Sequence, residues 1–400
     1  MKEKIVFIVV LVLSIIYILV GNKIAMKNNS FLDQVTKVDN PKATVTRIIE
    51  RKETPLIVDG LENQYNTDIV FEAQILSGKD KDKLVIATQN ISTYIAGTVK
   101  EVEIGDKVLL FNQESYDGQS LWYFMEYSRT TALIVLTAIF LGLILLFGRK
   151  QGIKTLVSLV FTVLSIFLVL IPAILGGQNI YAWTIATCAF ITLSTVLLVY
   201  GTSRKTFATA LGCIGGVIVA GILTLIMNTA LKLTGFTDEN AIYLQQLNSS
   251  IDLKAIIFGG ILIGALGAIM DVSIDIASSL SEVADKMEKP DFRTIVKSGF
   301  NIGKDIMGTM TNTLILAYIG SSLSTVLLLT ASSHSISYLF NLEMIAVEIL
   351  QAIVGSIGIL TTIPLTSVIA ATLYKYVDTS KYVYKYKGNV NRNKVTEDDK

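Results

Sequence analysis

The feature that most constrains the fold of this chain is a series of long apolar runs. A helix needs about 20 apolar residues to cross a hydrocarbon core about 30 Å thick. Eight runs reach or approach that length, and the last of them contains Pro364. They cover residues 5–20, 130–148, 155–175, 180–200, 208–231, 255–276, 306–329 and 344–374. The sequence therefore predicts a polytopic α-helical membrane protein with about eight transmembrane helices.

The composition agrees with this prediction and excludes several other classes of protein. Apolar residues make up 52% of the chain and charged residues 17%, and the mean hydropathy is +0.57. These values exclude a disordered chain, a collagen-like chain and an ordinary soluble globular protein. The net charge of +1 indicates no nucleic-acid partner. Cys188 and Cys213 both lie in apolar runs, so neither a disulfide framework nor a thiolate metal site is expected.

The basic residues of the short loops predict the orientation of the chain, because Lys and Arg are enriched in cytoplasmic loops. With a cytoplasmic N-terminus, every short loop that carries Lys or Arg lies on the cytoplasmic side, together with the C-terminal tail. The basic segments are residues 149–154, 204–205, 286–304 and 375–400, whereas the opposite loops, 176–178, 235–252 and 330–343, contain neither Lys nor Arg. We therefore expect both termini to lie in the cytoplasm.

These patterns divide the chain into four parts. Residues 1–25 are expected to form an uncleaved signal-anchor helix, because no small-x-small cleavage site follows the first apolar run. Residues 26–129 are expected to form an extracytoplasmic β domain. Residues 130–377 then form a seven-helix membrane domain with a cytoplasmic loop near 278–305, and residues 378–400 form a polar cytoplasmic tail.

The extracytoplasmic domain alternates apolar and polar residues with period two, which is typical of strands. Turn signals such as Asp59-Gly60 and Asp117-Gly118 separate these strands. Five or so short strands with tight turns favour a small closed or nearly closed barrel, since closure removes exposed edges. An oligonucleotide/oligosaccharide-binding-like barrel and a hairpin barrel both fit this pattern. The domain carries no histidine and no nucleophile–base pair, so we expect it to contact cell wall, lipid or a protein partner.

Ionisable groups at membrane depth are costly and mark functional sites. The first such place is the end of the sixth apolar run, where Asp271, Asp275, Ser278 and Glu282 recur at helical spacing and share one face. Two carboxylates one turn apart repel each other unless water, a cation or a proton relieves the repulsion. Their hard oxygen ligands suit Ca²⁺, Mg²⁺, Mn²⁺ or a monovalent ion. The alternative is a helix that has already left the bilayer and carries a solvated acidic face.

Two further places with polar residues lie in later spans. Asp305 and Asn312 enter the seventh run, where Asp305 fits a cytoplasmic boundary and Asn312 fits either a path or a hydrogen bond between helices. Glu348 and Gln351 begin the eighth run, where Glu348 fits either a polar lining or a side chain that reaches the interface.

Glycine pairs in the spans indicate helix-packing motifs. Gly212 and Gly216, and likewise Gly260 and Gly264, are small residues four apart, a pattern that permits close helix contact. Nucleotide-binding, zinc, esterase and kinase motifs are absent from the sequence, and its one histidine, His334, falls in a predicted outer loop. We therefore expect no enzyme activity and no cofactor, and an energy source in an ion gradient or a separate partner.

Three long motifs resemble the YibE/F-like family of bacterial multi-pass membrane proteins. They are GALGAIMDVSIDIASSL at 264–280, GKDIMGTMTNTLILAYIG at 303–320 and EILQAIVGSIGILTTIP at 348–364. The resemblance implies a location in the bacterial cell membrane. It also implies that the polar positions borne by these motifs share one site. Those positions are Asp271, Asp275, Asp305, Asn312 and Glu348. It supplies no substrate.

Two functions remain open from the sequence. The first is a secondary transporter or permease for an ion or small solute, with a pathway lined by intramembrane polar residues. The residues expected to line it are Asp271, Asp275, Ser278, Asp305, Asn312 and Glu348. The second is a non-transporting assembly or sensor protein whose outer β domain binds a protein partner. A third and weaker hypothesis is an enzyme that acts on lipid-linked substrates, because the sequence shows no recognisable set of catalytic residues.

Overall fold

The computed structural model describes residues 2–27, 40–55, 65–92, 100–114, 120–331 and 335–376. His334 and the predicted tail at 378–400 lie outside these residues. The chain divides into two compact units. The β unit comprises residues 33–147, and the helical unit comprises residues 1–32 and 148–400.

Five strands lie in the described part of the β unit. They are β1 (Lys42–Pro55), β2 (Tyr65–Ile75), β3 (Leu84–Ser92), β4 (Lys107–Glu114) and β5 (Ser120–Tyr127). β1 pairs antiparallel with both β2 and β4, and β2 pairs antiparallel with β3. β5 pairs parallel with β3 and antiparallel with β4. Since the hydrogen-bonded order returns to β1, the sheet closes into a barrel.

The period-two alternation of the strands explains the core of this unit. Alternate side chains such as Ile69, Phe71, Ala73 and Ile75 on β2 are buried, because successive strand residues point to opposite faces. At the surface the Arg51 guanidinium donates to Glu101 at 2.8 Å, and this contact holds the pKa of the Glu101 carboxyl below its usual value.

The helical unit begins with α1 (Lys2–Ala25) and continues with the second half of α2 (Thr130–Ser165), which breaks at Arg149 with φ 47° and ψ −125°. A π-helical segment (Ile166–Leu170) follows. The later helices are α3 (Ile171–Leu175), α4 (Ile180–Tyr200), α5 (Arg204–Ala230), α6 (Glu239–Leu247), α7 (Leu253–Asp285), α8 (Phe292–Ser321), α9 (Leu323–Ala331), α10 (Ile336–Asn341) and α11 (Glu343–Tyr376).

Side-chain caps explain where several of these helices begin. Asn179, Ser203, Asp238, Asp252 and Asp291 each accept a hydrogen bond from a backbone N–H of the first turn that follows. Such caps satisfy donors that have no partner inside the helix. We call the end of the helical unit formed by residues 176–179, 231–252 and 342–343 the α6 end. The opposite end, at residues 201–205 and 286–293, is called the basic end.

α7 is the central helix and packs against α4, α5, α8 and α11. Its Ser273 hydroxyl donates to Thr209 O at 2.8 Å on α5 and lies 2.9 Å from Thr366 Oγ1 on α11. A Cβ at Gly216 of α5 would collide with Thr362 Oγ1 of α11, so this glycine permits close helix contact. Among the residues that the structure describes, six segments are long and apolar enough to span a membrane, and α7 is the most buried of them.

These six membrane-length segments support a membrane protein. They are Ile5–Ala25, Thr130–Leu175, Ile180–Tyr200, Arg204–Ala230, Leu253–Asp285 and Glu343–Lys375. The Thr130–Leu175 segment has 46 residues and contains the break at Arg149, so it corresponds to two of the predicted spans.

The region of the seventh predicted span differs most from expectation. Instead of one helix over residues 306–329, α8 begins at Phe292 and ends at Ser321, and α9 follows. Asp291 caps the early start, and Ser322 leaves the helical conformation with ψ 8°. Of the loop expected near 278–305, only residues 286–291 lie outside α7 and α8. Apolar content alone did not locate these boundaries, because the first turns of α8 are amphipathic rather than uniformly apolar.

Candidate functional site

The candidate site is a row of small and acidic residues along one face of α7. Between Ala255 and Ala284, every exposed residue lies in this row, and all the others are buried or half-buried. The exposed residues are Gly260, Gly264, Gly267, Asp271, Asp275 and Glu282. The half-buried Ser278 continues the same spacing of three or four residues. We call these seven residues the α7 stripe.

The two aspartates of the stripe lie close to the basic end. Asp271 and Asp275 interact electrostatically with each other and with Tyr200, the last residue of α4. Asp271 also interacts with Cys213 on α5. Asp271 lies 18 residues beyond Leu253, which corresponds to about 27 Å along the helix axis. The pair is therefore far from the α6 end and has one aromatic hydroxyl beside it.

A second polar group lies nearer the α6 end of the stripe. The Tyr318 hydroxyl of α8 is buried, lies beside Gln351 of α11 and interacts electrostatically with Glu348. A Cβ at Gly264 would lie 2.6 Å from this hydroxyl and 3.4 Å from Gln351 Nε2. Glu348, Gln351 and Tyr318 therefore border the stripe about 10 Å along the helix from Asp271.

The structure places the two predicted residues of α8 elsewhere. Asp305 and Asn312 are both exposed. Each lies two residues from a buried position of α8, Gly303 or Leu314, so each points about 200° away from the packed face. The motif residues are thus distributed among three places: Asp271, Asp275 and Ser278 on the stripe, Glu348 beside its other half, and Asp305 and Asn312 on the far face of α8.

The glycines of the stripe do not serve close packing along its whole length. A Cβ at Gly260 or Gly267 would meet no heavy atom within 4 Å, whereas one at Gly264 would meet Tyr318. The sequence predicts Gly260 and Gly264 as a packing pair, and that prediction is wrong for Gly260. The combined spacing of glycine and acidic residues in the sequence would have revealed the stripe.

The stripe supplies few ligands for a metal ion. Within the described ranges, no group of three or more His, Cys, Asp or Glu side chains is arranged to hold a metal. Calcium takes six to eight oxygen ligands, so the two aspartates would supply only part of a calcium shell. Such a pair suits a cation that keeps most of its water and exchanges rapidly.

Sequence reasoning also missed a hollow on the β unit. It has a volume of about 360 Å³ and lies over β3 and β5. It is lined by Val85, Ile86, Thr88, Leu121, Trp122 and Tyr123. Ile86 and Leu121 are exposed, so apolar surface faces solvent here.

Comparison with known proteins identifies the family of the chain. The family model described as YibE/F-like protein matches residues 136–376 of the chain. The match includes all three motifs that carried the resemblance and confirms it. No curated protein and no solved structure matches the chain.

Proposed function

The chain belongs to the YibE/F-like family, and from that premise we propose that it is a membrane permease in which an inorganic cation passes along the α7 stripe. The observation that carries the proposal is the burial pattern of α7. A helix otherwise enclosed by four neighbours leaves one continuous row open, and that row holds only glycine, serine and carboxylates.

The proposal places eight spans in the bilayer. They are α1, the two parts of the Thr130–Leu175 segment, α4, α5, α7, α8 and α11. The charged loops support a cytoplasmic basic end, since Arg204, Lys205, Lys286, Lys289 and Arg293 lie there. The β unit then lies outside the cytoplasm, where its strand order fits the oligonucleotide/oligosaccharide-binding-like barrel expected from the sequence.

The length and chemistry of the stripe support a path rather than a lipid-facing surface. From Gly260 to Glu282 it extends about 33 Å along the helix, close to the thickness of a hydrocarbon core. Carboxylates that face lipid are costly, so the open side of the stripe requires water or another polar covering. Glycines without side chains leave room for that water between the two polar groups.

The two polar groups have different tasks in this proposal. Asp271 and Asp275 concentrate a cation at the basic end, because its charge relieves their mutual repulsion. Glu348, with Gln351 and Tyr318, supplies oxygen atoms to a partly hydrated cation at the other half of the stripe. No ATP-binding motif occurs in the sequence, so the gradient of the cation itself drives the movement.

Flux through vesicles that contain the purified full chain tests the proposal. Asp271→Asn and Asp275→Asn should each reduce uptake of monovalent or divalent cations at least tenfold. Gly267→Leu should also reduce uptake, because the leucine side chain fills the open side of the stripe. Asp305→Asn and Gly308→Leu are matched controls, since Asp305 is exposed on α8 and a Cβ at Gly308 meets nothing within 4 Å. Equal flux in the three stripe variants and the wild type would remove the stripe as a path.

The alternative function is a non-transporting assembly or sensor protein, and the hollow over β3 and β5 favours it. Ile86 lies in this hollow, while Ile104 is similarly exposed but outside its lining. If the alternative holds, Ile86→Glu abolishes complementation of a deletion strain, Ile104→Glu does not, and vesicles show no cation flux. Flux that depends on Asp271 would decide for the permease.

A further inference from the structure

A cavity at the α6 end lies outside the α7 stripe and outside the three family motifs. Its volume is about 400 Å³, and it lies among the start of α4, the end of α5, the following loop and the start of α7. It is lined by Tyr181, Leu225, Asn228, Thr229, Lys232, Leu233, Thr234 and Lys254. It is separate from the aspartate pair, which lies toward the basic end.

Two lysines give the cavity its charge. Lys232 follows α5 and Lys254 lies in the first turn of α7, and both line the cavity. Among the residues that the structure describes, no carboxylate lies within 4.0 Å of either ammonium group. Two ammonium groups that face one cavity repel each other, and an anion between them removes that repulsion.

The carboxylates that adjoin the cavity are occupied by neutral donors. Glu343 Oε1 accepts from the backbone N–H groups of Thr234 at 2.7 Å and Gly235 at 2.6 Å, and its Oε2 accepts from Thr234 Oγ1 at 2.7 Å. Asp252 caps α7 and accepts from the Tyr181 hydroxyl at 3.3 Å. Both carboxylates are therefore engaged in holding loops, which leaves the lysines available to an external anion.

A buried amide provides a second, independent indication of a ligand. Asn228 is only 6% exposed, and its Nδ2 donates to Lys254 O at 3.4 Å. Its Oδ1 is buried and has no hydrogen-bond partner. Buried polar atoms in native proteins nearly always have a partner. Because Asn228 lines the cavity, this acceptor without a partner points to a ligand that donates a hydrogen bond.

The lining is apolar on its deeper side. Leu225 lies one turn before Asn228 on α5 and is 45% exposed. The cavity thus combines cations at the helix ends with exposed aliphatic surface one turn further into an apolar helix. Lipid headgroups and the first carbons of their chains occupy that depth of a bilayer.

From these observations we propose that the cavity binds the phosphodiester of an anionic phospholipid whose headgroup carries a hydroxyl group. Lys232 and Lys254 bind the phosphate oxygens, and Asn228 Oδ1 accepts from the headgroup hydroxyl. Leu225 contacts the beginning of an acyl chain. The lipid fills the space between α4, α5 and α7 and stabilises the α6 end. This inference does not depend on the cation path.

Binding of defined lipids to the purified full chain, followed by native mass spectrometry, tests the site. Phosphatidylglycerol should bind, and zwitterionic phosphatidylcholine should not. Lys232→Gln combined with Lys254→Gln should weaken binding about thirtyfold, since each basic group near a lipid surface contributes a factor of about five. The matched control is Lys286→Gln with Lys289→Gln, two exposed lysines of the basic end, and it should bind as the wild type does.

Two further measurements test the role of the headgroup hydroxyl and the identity of the occupant separately. Asn228→Leu should reduce binding of phosphatidylglycerol to that of phosphatidylmethanol, which has the same phosphodiester charge but no headgroup hydroxyl. Inorganic phosphate at millimolar concentration should not displace the lipid. Equal binding in the double lysine variant and its control would overturn the site, and displacement by inorganic phosphate would overturn the lipid as its occupant.

Discussion

Glycine has two different functions in the helical unit, and the positions Gly216 and Gly267 show the contrast. A Cβ at Gly216 would collide with Thr362 Oγ1 and lie 3.0 Å from Ile269 Cγ2 and 3.1 Å from Gly358 O. A Cβ at Gly267 would meet nothing within 4 Å. The first glycine permits three helices to approach, whereas the second leaves the stripe open.

This contrast predicts opposite effects of the same substitution. Gly216→Ala should destabilise the protein by about 1–3 kcal/mol, because an added methyl group in a packed interface forces its neighbours apart. Gly267→Ala should be neutral or stabilise it by up to about 1 kcal/mol, since alanine favours helix over glycine. Thermal unfolding of the two variants in one detergent measures the difference. A similar loss of stability in both would show that Gly267 is also packed.

Spacing within one helix was predictable from the sequence, but contacts between helices were not. The sequence places Asp271, Asp275 and Ser278 on one face, and the structure agrees, because the helical period alone decides it. It could not show that Asn312 points away from the packed face of α8. That outcome depends on the rotation of α8 about its axis, which Gly299 and Gly303 set through contacts with Ser367 and Ile363 of α11.

At the scale of elements, the length of an apolar run predicts the bounds of a helix correctly where capping residues flank the run. α4 begins and ends at the expected residues, since Asn179 caps it and Gly201 ends it with φ 69°. The start of α8 was missed by 14 residues, because its first turns are amphipathic rather than uniformly apolar. Amphipathic helices carry a weaker membrane signal, although the Asp291 cap was present in the sequence.

The junction between α11 and the loop after α5 depends on one carboxylate. Glu343 accepts three short hydrogen bonds from Thr234 and Gly235, which lie 108 or more residues earlier in the chain. Hydrogen bonds to a charged group contribute about 1.5–3 kcal/mol each when well formed, with less for exposed groups. This side chain therefore holds the α6 end together.

Glu343→Ala should lower the free energy of unfolding by about 2 kcal/mol, because the backbone donors of Thr234 and Gly235 lose their acceptor. Glu239→Ala is the matched control, since Glu239 is an exposed glutamate in the first turn of α6. Loss of the junction should also expose the loop to limited proteolysis near Thr234. Wild-type stability together with wild-type cleavage in Glu343→Ala would contradict this assignment.

At the scale of the whole molecule, most basic residues of the helical unit's loops lie at the basic end, but two lie near the α6 end. The basic end carries Arg204, Lys205, Lys286, Lys289 and Arg293, yet Lys232 lies at the α6 end and Lys254 lies next to it in the first turn of α7. These two lysines flank residues 235–252, so the side opposite the basic end is not entirely free of basic residues. A lipid phosphate between them would account for their place on the side that otherwise carries acidic residues.

Labelling from one side of the membrane decides the orientation, and the chain offers a low background for it. Its two cysteines, Cys188 and Cys213, are buried within helices. With the basic end in the cytoplasm, Asn240→Cys on α6 should react with an impermeant maleimide in intact cells. Lys289→Cys should react only after the membrane is opened, because both positions are exposed but lie at opposite ends. The reverse pattern would invert the proposed direction of the stripe, and would move the lysine cavity to the cytoplasmic leaflet.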